Sequence, residues 1–170
     1  QAWISCNGAI FSLLGALRLE VEGVAGLDPR SWYLVLSNHR SWVDILVLQQ
    51  AFNRRIPFLK FFLKQELIWV PFLGLAWWAL DFPFMKRHSA TYLQKHPEAR
   101  GEDLDATRKA CQRFALLPTS VMNFVEGTRA TPAKRAQQKG PYRHLLRPKI
   151  GGLSVALATM GEQFQSLLDV

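Results

Sequence analysis

Two short apolar runs, each followed at once by a cluster of ionisable residues, constrain this chain more than any other feature. Residues 32–36 read Trp32-Tyr33-Leu34-Val35-Leu36, bounded by Pro29 behind and Ser37-Asn38 ahead. Residues 120–125 form a second such segment, running directly into Glu126-Gly127-Thr128-Arg129. A strand whose pattern does not alternate is covered on both faces, the habit of parallel sheets. Helical spacing predicts helices over residues 3–17 (Trp3, Ile10, Leu13, Leu14 and Leu17 near one stripe), 42–52, 71–80, 101–117 and 150–160. Ser41 is placed to cap the second and Pro71 lies near the first turn of the third. The fourth has acids at its start and bases later, matching the helix dipole, and Pro118 ends it. Short strands are expected at 19–22 and 56–63, and a basic loop after Arg129. Strands alternating with helices predict an α/β fold with a mixed, largely parallel central sheet flanked by helices. In such sheets ligands gather at the carboxyl ends of strands, where residues 38–44 and 126–129 both fall.

The 170 residues are 49% hydrophobic, enough to bury a core and too apolar for general disorder. Residues 1–170 are expected to form a single domain, and the chain reads as an excerpt truncated at both ends, opening on Gln1 and stopping within an apolar stretch at Val170. Residues 1–17 and 67–80 carry no charge. Both fall short of the roughly 18–20 apolar residues a membrane crossing needs. Each is either a buried helix or one lying in a membrane interface, and the cluster of Trp69, Trp77 and Trp78 in the second favours the interface.

The net charge of +8 is uneven, with seven basic residues and no acid over 128–161. That field suits an anionic leaflet, a phosphorylated substrate or nucleic acid. Basic residues are not interleaved with aromatics, and no nucleic-acid-binding signature appears, so no nucleic-acid partner is expected. Cys6 and Cys111 are isolated and the four His are scattered, which gives no disulfide framework and no metal-ligand spacing.

His39 and Asp44 are five residues apart. On one regular helix that spacing is about 500°, which would point them apart. They meet only if His39 sits in a loop and Asp44 in the first helical turn. Asp44 then fixes the imidazole tautomer and leaves the other nitrogen free to take a proton. On spacing alone, Asp44 complementing the helix N-terminus beside a structural turn histidine fits better. No GxSxG elbow is present and neither cysteine lies beside a motif, so a base here would activate a substrate hydroxyl. Arg129 can hold a phosphate bidentately, helped by N–H groups around Gly127, or simply pair with Glu126 in a surface turn. Lys86 and Arg87, after the apolar segment, also fit snorkelling cations at a membrane boundary.

Taken together, Asn38-His39 with Asp44, Gly74 through Phe84-Met85-Lys86-Arg87, and Val125-Glu126-Gly127-Thr128-Arg129 resemble, in order and separation, three motif blocks of the glycerophospholipid acyltransferase family, the PlsC-type 1-acylglycerol-3-phosphate acyltransferases. Residues 62–67, 71–74 and 149–152 add similarity. The second block is looser here, and the family's fourth block, an apolar strand containing Pro, would begin near Leu168. The resemblance is closer to the branch with lysophospholipid-remodelling members than to the shortest bacterial biosynthetic enzymes.

The resemblance implies an O-acyltransferase without cofactor or metal. His39, oriented by Asp44, would deprotonate the free hydroxyl of 1-acylglycerol-3-phosphate. The alkoxide would attack acyl-CoA or acyl carrier protein, giving phosphatidic acid. Lys86, Arg87, Thr128 and Arg129 would hold the acceptor phosphate, with Glu126 and Gly127 shaping that turn. It further implies a membrane-surface enzyme, expected at the cytoplasmic face of a bacterial inner membrane. The alternatives are another acceptor, lysocardiolipin or lysophosphatidylglycerol, and from other classes a basic nucleic-acid-binding or inactive membrane-binding domain.

Overall fold

Residues 32–37 form a strand buried on both faces, and the rest of the fold is arranged around it. The computed structural model describes residues 2–13, 15, 19–86, 88, 90–138 and 141–170. In chain order these form α1 (Ala2–Leu13), β1 (Trp32–Ser37), α2 (Val43–Ala51), β2 (Leu59–Phe61) and β3 (Leu63–Lys64). A 3-10 turn (Gln65–Trp69), α3 (Leu73–Ala79), β4 (Phe84–Met85), α4 (Ala90–Lys95) and a second 3-10 turn (Pro97–Gly101) follow. The last part contains α5 (Glu102–Phe114), β5 (Ser120–Phe124), α6 (Pro132–Gln138), α7 (Gly151–Met160) and β6 (Phe164–Asp169).

Alternate residues of β1 enter different cores. Tyr33 and Val35 join Leu48, Phe52, Leu59 and Met122 beneath α2, whereas Leu34 joins Ala110, Cys111, Phe114, Ala156 and Met160 beneath α5 and α7. Both faces therefore demand apolar side chains, each contributing about 1.5–3 kcal/mol when fully buried. Among the described residues the main sheet runs β2-β5-β1-β6, and a separate pair joins β3 to β4. All these pairings are parallel, so the sheet is the α/β arrangement expected of the chain.

Register positions the site. Tyr33 lies opposite Ser120 and Ser37 opposite Phe124, so β1 and β5 end level with each other. The Val125 N–H donates to the Ser37 carbonyl (3.3 Å) and the Ala130 N–H to that of His39 (2.7 Å). Two loops far apart in sequence are thereby strapped together at one sheet edge.

Several sequence expectations need correction. Residues 19–22 form no strand, because both edges of β1 are occupied by β5 and β6 and four alternating residues cannot displace them. The strand expected at 56–63 is split. Phe61 belongs to the first core but Phe62 packs on the second, and beyond it Leu63 turns to the Pro83 carbonyl (2.9 Å). The loop expected after Arg129 contains α6. The 71–80 helix starts two residues later, at Leu73, behind Phe72 with φ +61°. Only glycine fits at 74, since a Cβ there would run into the Ile68 carbonyl. Leu14 and Leu17 of the first expected helix lie outside the described residues.

Around α3 an apolar face is left open. Trp69, Phe72 and Trp78 are 84%, 90% and 64% exposed, whereas Trp77 packs against the first core. No described helix is long and apolar enough to cross a membrane.

Candidate active site

His39 and Asp44 meet as a loop–helix pair. Asn38 to Ser41 leave the end of β1 as a loop, and Asp44 sits in the first turn of α2. Ser41 shapes that entry, its Oγ accepting from the Val43 N–H at 3.0 Å. The Nδ1–H of His39 donates to Asp44 Oδ2 at 2.9 Å. The same oxygen accepts from the backbone N–H groups of Arg40 (2.7 Å) and Ser41 (2.8 Å). Partial burial pushes the Asp44 carboxyl up. The Ser41 and Arg40 N–H groups, then His39, outweigh it and hold the group below its ordinary 3.8. Asp44 thus remains an acceptor, which fixes the Nδ1–H tautomer and leaves Nε2 as the basic nitrogen. The ring is also clamped by stacking on Phe124, the last residue of β5, at 4.0 Å between centroids.

His39 lines a cleft of about 470 Å³ at the carboxyl ends of β1 and β5. Ile45, Phe61, Leu63, Leu67 and Met122 supply apolar wall, and Gly127, Thr128 and Arg129 supply polar wall. Two further cations, Lys64 and Lys134, also line it, and no carboxylate does among the described residues. Gly127 takes φ +65° to turn the chain after β5, and a Cβ there would press on the Lys149 side chain, 2.8 Å from its Cδ. The arrangement pairs a base with a field suited to an anion, beside a surface suited to hydrocarbon.

The other candidate residues lie elsewhere. Glu126 is 1% exposed and lines a second cavity of about 530 Å³, with Ser37, Asn38 and Leu146 among its other walls. Its Oε1 accepts from the Leu146 N–H at 3.3 Å, and its Oε2 has no partner among the described residues. Lys86 donates to Glu102 Oε2 at 2.8 Å and lines a third groove with Gln65, Ile68 and Asp105. Lys86, then His88, hold the Glu102 carboxyl low. The 3-10 turn separates the two clefts: Lys64 before it and Leu67 within it face His39, whereas Gln65 and Ile68 face Lys86. Arg87 lies outside the described residues.

Lys64 and Lys134 escaped the sequence reading. For Lys134 a local signal existed. Thr131-Pro132 is a helix-start pair, and the Lys134 N–H donates to Thr131 Oγ1 at 3.2 Å as a third helical residue does to its cap. Lys64 carries no comparable signal, since a cation ending a short strand is ordinary surface chemistry.

Comparison with known proteins gives the chain a family. The family model described as Acyltransferase matches residues 18–164. The chain belongs to the acyltransferase family. It is 29% identical over 117 residues to the 1-acyl-sn-glycerol-3-phosphate acyltransferase alpha of Mus musculus, and equally to those of Homo sapiens and Bos taurus. Those alignments cover 68% of this chain and 36% of each relative, so the chain spans about a third of the length of the curated relatives it matches. No solved structure matches it.

Proposed function

We propose that this chain carries the acyl-transfer site of an enzyme that moves a fatty acyl group from acyl-CoA or acyl carrier protein to the free hydroxyl of 1-acylglycerol-3-phosphate at a membrane surface. The observation that carries the reading is the Asp44-oriented His39 in a cleft with three cations and no described carboxylate. His39 Nε2 takes the acceptor's hydroxyl proton as its oxygen bonds to the thioester carbonyl carbon. The C–S bond breaks, and the imidazolium returns the proton to the departing thiolate. General-base help of this kind is worth about 10²–10⁴ in rate, and holding the two substrates together supplies further acceleration. No protein nucleophile is required.

Arg129, with Thr128 and the backbone at Gly127, receives the acceptor phosphate. Arg87 is assigned to that phosphate on its motif alone, and Lys86 is held in the neighbouring groove by Glu102. Three cations and no carboxylate in the described lining favour phosphomonoester and other anionic acceptors over zwitterionic ones. The exposed face of Trp69, Phe72 and Trp78 would seat the site against the bilayer, where Trp is at home.

The test is transfer of radiolabelled acyl groups by the full-length protein to a panel of lysolipids. 1-Acylglycerol-3-phosphate, lysophosphatidylglycerol, lysocardiolipin and lysophosphatidylcholine are each paired with both donors. The first is expected to be used best. Transfer to lysophosphatidylcholine alone, or to none of them, would refute the reading.

A further inference from the structure

We propose that Lys134 is a positioning residue that turns the Thr128 hydroxyl into an anion-binding donor and locks the turn carrying Arg129; this rests on the acceptor-phosphate reading above. The Nζ of Lys134 donates to Thr128 Oγ1 at 2.7 Å and to the Arg129 carbonyl at 3.0 Å. A hydroxyl oxygen that already accepts from an ammonium must point its own O–H elsewhere. No group among the described residues takes that proton, and Thr128 lines the His39 cleft. The donor is therefore available to an oxygen anion there, and the ammonium charge strengthens it.

The second bond acts on the backbone. Lys134 holds the Arg129 carbonyl, and the next residue, Ala130, donates its N–H to the His39 carbonyl at 2.7 Å. Thr131 fixes the first turn of α6 by accepting from the Lys134 N–H. One short helix thus sets the position of the anion-binding turn relative to the base. An isolated surface lysine would add charge to the cleft without creating this dependence on Thr128.

A double-mutant cycle in the full-length protein, assayed in phospholipid vesicles, distinguishes the two. Lys134→Met is expected to raise the KM for the phosphorylated acceptor about tenfold or more, the size of one lost charge-assisted contact, with the KM for acyl thioester unmoved. Thr128→Val should do the same, and the double variant should lose clearly less than the product of the two single losses, because part of the Lys134 effect runs through Thr128 and part through the Arg129 carbonyl. Lys134→Arg, which keeps the charge and can still donate, should recover part of the loss. Fold-changes that multiply in the double variant would overturn the proposal, as would a change confined to the acyl-thioester KM.

If Lys134→Met fails to fold, Thr128→Ser and Thr128→Val carry the test. Ser keeps both hydroxyl roles and should behave as wild type, and equal losses in the two would refute the idea. Protection by inorganic phosphate is an independent readout. Phosphate should raise the Tm of the wild type more than those of Thr128→Val and Lys134→Met, and an equal rise in all three counts against the proposal. Wild-type protein that transfers to no acceptor would sink the acyltransferase reading, and phosphate protection would then decide the role of Lys134 alone.

Discussion

Replacing Asp44 with Asn removes one charge and almost no volume, and the structure gives the expected size of the effect. Asp44 Oδ2 gathers three donors: His39 Nδ1 at 2.9 Å and the N–H groups of Arg40 and Ser41 at 2.7 and 2.8 Å. The Asn carbonyl oxygen can occupy the same point, so the loop keeps its connections. Each bond changes from charge-assisted to neutral, a loss of roughly 0.5–1 kcal/mol apiece, so stability falls by about 2 kcal/mol in all. For a chain of this size that lowers Tm by about 4–8 °C, well short of unfolding. Catalysis should suffer far more. A neutral amide neither stabilises the imidazolium nor enforces the Nδ1–H tautomer, because its own N–H₂ can rotate toward the ring. The turnover number is therefore expected to fall by about 10²–10⁴, with little change in the KM of either substrate. Steady-state kinetics on vesicles, with circular dichroism to verify folding, measure both. Retention of more than about a tenth of wild-type turnover, or a loss appearing only in KM, would refute the assignment of His39 as an Asp44-oriented base. The stability difference also has a pH signature. The Asp44 carboxyl sits below its ordinary 3.8, so its stabilisation is present above that value and is lost as pH falls through the lower folded value. The Tm gap between wild type and Asp44→Asn should persist at neutral pH and close in acid.

Other expectations follow from the same geometry. Arg129→Lys, which loses the forked donor set, should raise the KM for the phosphorylated acceptor about 10- to 150-fold and barely move that for acyl-CoA; varying each substrate in turn measures this. Replacing exposed Trp69, Phe72 and Trp78 with Ser should release the protein from vesicles in co-sedimentation when no other membrane anchor holds it, without altering its circular dichroism. Trp77→Ser should instead lower Tm, since Trp77 packs against the core. Of the two cysteines, exposed Cys6 should react with a thiol reagent in the native protein. Cys111, whose thiol burial pushes up to about 11, should react only on unfolding, as mass spectrometry of the labelled protein can establish.

The local sequence determined whatever depends on neighbours along the chain. Residues 32–36 specified a strand covered on both faces because Tyr33, Leu34 and Val35 had to satisfy two cores at once. Asp44 could reach His39 because a helix begins between them, a short-range matter readable from Ser41 and the apolar spacing after it. Family motifs then named the chemistry. Tertiary structure alone decided which distant pieces share the cleft. The level ends of β1 and β5 bring Thr128 and Arg129 beside His39, and that register depends on packing across the sheet. The direction each side chain takes at a turn was equally out of reach. Glu126 and Thr128 are two residues apart, yet a positive φ at Gly127 buries one and sends the other into the cleft. Lys86 and Lys64 look alike in sequence as cations beside apolar runs. Only the fold gave Lys86 a carboxylate partner in Glu102 and left Lys64 facing the cleft, because long-range pairing partners are chosen by the packed core and not by the residues on either side.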